Sequence, residues 1–200
     1  MRILIPISLL LLSACSTGIS TDKYNTRSTD PKGFTVCHGY GCTHKSPAYF
    51  TDVEWRSIAK IFKDRAAKSA DAERSKIGAA IAMMERYSGA KTGTSADLKE
   101  AVSLKQNIYQ QDCIDETVNT SQYIAMLQKD GLLKFYEGTE PTHRGYLIDG
   151  RWPHNTAVIR EKSGGKLWAI DSFYRANGEE PYIVPREDWL SGWRPPGATQ

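Results

Sequence analysis

What most limits the fold of this chain is a change in hydrophobic period partway along it. Up to Lys129 the apolar residues recur at helical spacing, and beyond Gly131 they gather into short β-favouring runs. Three helices follow from the first pattern. Thr51-Asp52-Val53-Glu54 fits a capping box, with Glu54 three residues after Thr51, and Trp55, Ile58, Ala59 and Phe62 then line one face. Asp71 is the expected cap of a second helix, whose inner face is Ile77, Ala80, Ile81 and Met84 and whose end lies near Ser88-Gly89. A third begins at or just after Asp112-Cys113 and runs to about Lys129, with Ile114, Val118, Ile124, Ala125 and Leu127 inward and Gly131 as its stop. The stretch 90–111 is ambiguous: Gly93 and its polar neighbours suit a loop, and 98–108 suits a further helix. The second pattern predicts strands over 145–148, 155–159, 166–170 and 181–184, with Ser163-Gly164-Gly165 as a hairpin turn. Helices followed by an antiparallel sheet make an α+β domain.

Ahead of this domain the chain is of another kind. It opens MRILIPISLLLLSAC, with one basic residue, Arg2, then an apolar run from Ile3 to Leu12, then small residues. A run that short cannot cross a bilayer, which needs about 20 apolar residues; it matches the apolar region of an export signal. Leu12-Ser13-Ala14-Cys15 resembles the lipobox of bacterial lipoproteins. That resemblance implies cleavage before Cys15, acylation of its sulfur and a membrane partner. A buried acyl chain contributes about 0.8 kcal/mol per CH₂, so more than one chain makes the anchor durable. An ordinary signal peptide with a chance cysteine is the plainer alternative. Ser16, rather than Asp, follows the cysteine, which in well-studied lipoproteins favours the outer membrane, facing the periplasm. The expected organisation is a signal at 1–14, a lipidated and flexible tether at 15–32, one domain at 33–196 and a tail at 197–200. The formal charge of +3 falls to +2 when Arg2 leaves with the signal; with no basic stripe or aromatic stacking motif, no nucleic-acid partner is expected.

The chain has four cysteines. Export exposes them to an oxidising compartment in which disulfides persist. Cys37 and Cys42, in VCHGYGC, can close a small loop, with Gly39 and Gly41 letting the backbone turn. Such a loop stabilises a fold by roughly 2 kcal/mol in the chain-entropy account. If Cys15 is acylated, Cys113 is left unpaired, a liability unless it is buried or used. A rival reading takes Cys37, His38, Cys42 and His44 as a zinc set. Their crowding lacks the usual paired spacing, so the disulfide is favoured and no metal or cofactor is expected.

Cys113 lies in QQDCIDE, His154 in WPHNTAV and Asp171 in LWAIDSF. A thiol, an imidazole and a carboxylate in that order, the last two on strand-like runs, suit a nucleophile, its base and the base's orienter. At a helix N-terminus, free backbone N–H groups and the helix dipole favour a thiolate, more so beside an imidazolium. The same N–H groups can stabilise an oxyanion. If the strands bearing His154 and Asp171 form a hairpin, Asp171 can hold one ring nitrogen while the other faces Cys113. Taken singly, each residue has a plainer role: a lone cysteine is more often inert core, and an aspartate ending a strand usually makes a turn.

Together, Asp112-Cys113-Ile114-Asp115, His154-Asn155-Thr156-Ala157-Val158 and Trp168-Ala169-Ile170-Asp171 resemble the papain-like cysteine hydrolases, specifically their transglutaminase-like branch and its bacterial cysteine-proteinase relatives. The resemblance spans roughly 110–173. It implies a papain/transglutaminase-like fold and acyl transfer through a thioester, with Cys113, His154 and Asp171 as the triad. It also suggests an oxyanion-stabilising amide before the nucleophile, where Gln111 is favoured over Gln106 and Gln110. The chain departs from the pattern in two places: Asn155-Thr156 replaces a small residue and an aromatic after the histidine, and Ser172 replaces a proline after the aspartate. Asp115, Glu116 and Asn119 are expected caps or structural hydrogen-bonders, and His143 a surface residue. Trp152 and Trp168 either wall the site or, more simply, pack the core. The leading expectation is therefore an envelope-anchored cysteine peptidase or amidase acting on a peptide or cell-wall substrate. The alternatives are a non-catalytic lipoprotein that binds such a ligand on the same fold, and a structural lipoprotein with Cys113 buried.

Overall fold

A computed structural model of the protein describes residues 28–101, 107–145 and 153–199. The signal-like stretch, Cys15, Gln106, Trp152 and most of the strand expected at 145–148 lie outside these residues. Among the described residues no helix is long and apolar enough to cross a membrane.

The order of elements is β1 (Phe34–His38), β2 (His44–Ala48), α1 (Asp52–Lys63), α2 (Ala70–Thr92), α3 (Cys113–Lys129), β3 (Tyr136–Arg144), β4 (His154–Glu161), β5 (Leu167–Asp171), β6 (Tyr182–Pro185) and α4 (Arg186–Leu190). β1 and β2 form a two-stranded antiparallel sheet, and β3-β4-β5-β6 form a second, in that order and wholly antiparallel. This mixed helix-and-sheet architecture is compatible with the α+β class, with one amendment: a hairpin precedes the helices.

The helix ends follow from capping. Thr51 and Glu54 close a reciprocal capping box on α1. On α2 the cap is Ser69, whose side chain accepts from the Ala72 N–H, and not Asp71, which lies inside the first turn. The helix also runs past Ser88-Gly89 to Thr92 and stops at Gly93, whose φ of 86° is left-handed. Gly89 lets the helix pass close to Asn177 and Ser95, since a Cβ there would stand 2.8 Å from Asn177 Oδ1 and 3.2 Å from the Ser95 backbone nitrogen. Between α2 and α3 the described residues contain one 3-10 turn, Thr94–Ala96, and no helix over 98–101 or 107–108.

The two sheets and three long helices share one core, in which Phe34 and Phe50 meet Ile81, Tyr123, Leu127 and Ile159. Ala125 is half-buried and lines a surface cleft rather than this core. β3 was not expected, being polar and carrying Pro141; its pairing with β4 shifts register between Thr139 and Thr142, the kind of irregularity that tolerates a proline. Gly138 lets β3 lie close on α3, since a Cβ there would meet Ile124 Cγ2 at 2.9 Å. Glu73 on α2 anchors the start of the same strand by accepting N–H bonds from Lys134, Phe135 and Tyr136 at 2.8, 2.7 and 3.0 Å. At the chain ends, Phe50 N–H bonds to Pro31 O and the Thr199 hydroxyl to Glu100, so residues of the expected tether and tail touch the folded body.

Candidate active site

Cys113 is the first residue of α3, and the residues around it explain why the helix starts there. Asp112 Oδ1 accepts from the N–H groups of Ile114 and Asp115 at 2.9 and 3.0 Å, and Asp115 returns a bond from the Asp112 N–H at 3.0 Å. Of the helix's first N–H groups, this cap does not use that of Cys113. The same two carboxylates hold the loop between β1 and β2. Asp115 accepts from Tyr40 and Cys42 N–H at 2.9 and 2.7 Å, and Asp112 from Gly41 N–H at 2.9 Å. The loop can aim three successive N–H groups this way because residues 39 to 42 all carry a positive φ.

Cys37 and Cys42 are bonded to each other across that loop, and Cys113 is a free thiol. The zinc reading is thereby set aside: its thiols are joined, and the His38 ring nitrogens bond to Ile108 O and Ser46 Oγ at 2.6 and 2.9 Å. No group of metal-ligating side chains occurs among the described residues.

β4 and β5 are neighbours in the sheet, so His154 opening one and Asp171 ending the other come together. His154 Nε2 lies 2.8 Å from Asp171 Oδ2, and Cys113 is near enough to the same ring to raise its proton affinity. The imidazole is packed among Phe173, Tyr174 and Trp189, with ring centres 5.1, 5.4 and 5.3 Å away. Burial alone would lower its proton affinity. The Asp171 charge and hydrogen bond, with the contribution of Cys113, outweigh this and raise its pKa to about 9. Near neutral pH the site therefore favours an imidazolium beside the thiol.

Trp189, on the short α4, was not singled out from sequence and is part of this arrangement. Its indole N–H donates to Asp171 Oδ2 at 2.7 Å, so one carboxylate oxygen takes both the histidine and the tryptophan. Arg144 lies over the Trp189 ring with its guanidinium 4.2 Å from the centroid, and bonds to the carbonyls of Trp189 and Trp193 and to the Tyr174 hydroxyl. No sequence spacing links α4 to the end of β5; the signal is tertiary.

The remaining expected residues divide clearly. Gln111 is buried, and its amide donates to Cys37 O at 3.0 Å. Gln110 is tied to Leu98 N–H and Ala96 O, and Asn119 bonds to both the N–H and the C=O of Cys37. Trp168 lies toward the opposite end of β5 from Asp171, beneath the Arg74 guanidinium at 3.5 Å, and packs against the core. His143 is half-buried and bonds through Nδ1 to Asn155 Oδ1 at 3.0 Å, while Asn155 Nδ2 stands 3.8 Å from Cys113 Sγ.

Beneath the start of α3 lies a group of buried acids: Glu116 on α3, Glu85 on α2 and Asp97 in the intervening loop. Burial, reinforced by mutual repulsion, raises Glu85 to about 8, Asp97 to about 7 and Glu116 well above the usual range. Glu116 hydrogen-bonds to Asp97, and Asp97 also accepts the Gln111 N–H at 2.6 Å. Their raised proton affinity lessens the buried negative charge beneath the start of α3.

No protein-family model, no curated protein and no solved structure matches this chain.

Proposed function

We propose that this chain is a cysteine hydrolase of the transglutaminase-like, papain-like kind, a peptidase or amidase that works through a thioester on Cys113. The observation that carries the reading is that Asp171 holds both His154 and Trp189, with Cys113 near enough to the His154 ring to raise its proton affinity. In this mechanism the thiolate attacks the scissile carbonyl and the imidazolium of His154 gives its proton to the leaving amine. Water then hydrolyses the thioester with His154 as base. Asp171 fixes the ring and stabilises its charge, and the N–H of Cys113 contributes to the oxyanion site.

The anchoring belongs to the same proposal: Cys15 is acylated, and the domain hangs from the outer membrane on the periplasmic side, facing peptide or cell-wall substrates. Incorporation of labelled fatty acid that is lost in Cys15→Ala tests this part by itself. The catalytic part is tested with a peptidyl acyloxymethyl ketone, which labels a thiol able to attack beside a carbonyl. Labelling at Cys113 that disappears in His154→Ala supports it, and no labelling of the folded protein refutes it.

One observation keeps the binding alternative in view. A cleft of ≈ 480 Å³ between α3 and β3, lined by Val118, Gln122, Ala125, Gly138 and Pro141 among others, does not include Cys113 in its lining. A ligand held there and indifferent to Cys113→Ser would favour that alternative.

A further inference from the structure

We propose that Asn155 is a further catalytic residue, its side-chain amide donating to the oxyanion formed when Cys113 attacks a carbonyl, with His143 as the positioning residue that holds the amide in its donating orientation. This rests on Cys113 being the acyl-transfer nucleophile proposed above.

Three observations converge on Asn155. Its Nδ2 is 3.8 Å from Cys113 Sγ, and the residue is only 4% exposed, so a bond made there is sheltered from water. An oxyanion donor is best placed about 2.7–3.1 Å from the oxygen itself. That oxygen sits on the carbon that Sγ attacks, so a donor slightly further from the sulfur is within reach of it. Second, the strand directs the side chain. Residues alternate across a sheet, so Asn155 shares the face of β4 that carries Ala157 and Ile159 into the core with Ile124 and Leu127 of α3. Third, the amides that precede the nucleophile are occupied by backbone groups: Gln110 by Leu98 and Ala96, Gln111 by Cys37. Asn155 supplies what those side chains do not.

His143 decides which end of the amide faces the sulfur. The two residues are direct cross-strand partners, with His143 Nδ1 3.0 Å from Asn155 Oδ1. A thiolate repels a carbonyl oxygen and attracts an N–H, so the amide turns its nitrogen to Cys113 and its oxygen to the imidazole. His143 must then present an Nδ1–H, which both the imidazolium and the Nδ1–H tautomer do. In the step itself, Sγ bonds to the carbonyl carbon and the π pair of the C=O moves to oxygen. That oxygen accepts N–H bonds from Asn155 Nδ2 and from the Cys113 backbone. When the pair returns to re-form C=O, the bond to the leaving group breaks.

The test compares two reagents on the purified full chain, with modification read at Cys113 by peptide mass spectrometry. Iodoacetamide alkylates sulfur at a saturated carbon and develops no oxyanion there. p-Nitrophenyl acetate acetylates sulfur through an oxyanion and releases p-nitrophenolate. Asn155→Ala should slow acetylation by about 10²-fold while changing alkylation by no more than about threefold. Asn155→Leu, which keeps the size and branching but has no donor and adds no charge beside the sulfur, should do the same, so a folding defect in the alanine variant does not decide the matter. His143→Phe should reproduce part of the acetylation loss in the native background and add nothing in Asn155→Ala, a non-additivity that a merely structural role would not give. Equal slowing of both reactions, or of neither, would overturn the role of Asn155 and leave Cys113 as the nucleophile. A folded native protein whose Cys113 reacts with neither reagent would overturn the hydrolase reading and this inference with it.

Discussion

Replacing Trp189 by phenylalanine should cost more than the change in ring size, because the indole N–H is one of the two bonds seen at Asp171 Oδ2. A hydrogen bond to a charged group is worth about 1.5–3 kcal/mol net. Trp189 is fully buried, so the smaller ring adds a cavity penalty of roughly 1 kcal/mol. The expected loss is therefore about 2.5–4 kcal/mol. The single variant mixes these effects with loss of the Arg144 contact at 4.2 Å, so the informative experiment is a double-mutant cycle with Asp171→Ala. Urea unfolding of the four proteins, with unchanged m-values, should give a coupling of about 1–3 kcal/mol. A coupling below about 0.5 kcal/mol would refute the claim that Trp189 holds the carboxylate, and reduce it to core packing.

Three further outcomes follow from the buried groups. Glu85 and Asp97 bind their protons more tightly folded than unfolded, with folded values of about 8 and 7, and His154 does likewise at about 9. Their stabilisation is complete below the unfolded values, about 4 for the two carboxyls and about 6.5 for the imidazole, and is lost as pH rises through the folded ones. Thermal midpoints should thus fall steadily between pH 5 and 9, and a rise over that interval would contradict the assignment. Glu73→Ala strands three N–H groups at the start of β3, which should cost on the order of 3–5 kcal/mol in urea unfolding; Glu73→Gln, which keeps one oxygen, should cost less. Joint Cys37→Ser and Cys42→Ser replacement should destabilise by about 2 kcal/mol in the same assay.

How much was legible depended on whether the determining interaction was local. The start of α1 at Thr51 and of α3 at Cys113 are capping events within a few residues, and both are readable from residue type and spacing. At α2 two capping residues lie two positions apart, and Ser69 caps where Asp71 was expected, a choice that composition does not make. β4 and β5 announce themselves as apolar runs around a glycine turn. β3 does not: Glu137, Thr139, Glu140 and Pro141 are poor strand residues, and what holds them is Glu73 on a distant helix and the pairing with β4. β1 and β2 went unread for a similar reason, since the disulfide and the carboxylates of α3 organise them. The order of Cys113, His154 and Asp171 suggested that they meet. Trp189, Asn155 and the acids around Glu116 could not be placed, because each reaches the site through a tertiary contact that leaves no periodic trace.

The most direct measurement of the central claim is the pH dependence of Cys113 alkylation by iodoacetamide in the full chain, followed at Cys113 by mass spectrometry. An ordinary thiol, with a pKa of about 8.5, is almost wholly protonated at pH 6. The imidazolium of His154, retained up to about pH 9, should pair with the thiolate and keep Cys113 reactive at pH 6. His154→Ala should abolish that low-pH reactivity, and Asp171→Asn should weaken it by misorienting the ring. If Cys113 instead reacts slowly at pH 6, gains reactivity only near pH 8 to 9, and is indifferent to His154→Ala in a folded sample, the thiol is not activated and the hydrolase account fails.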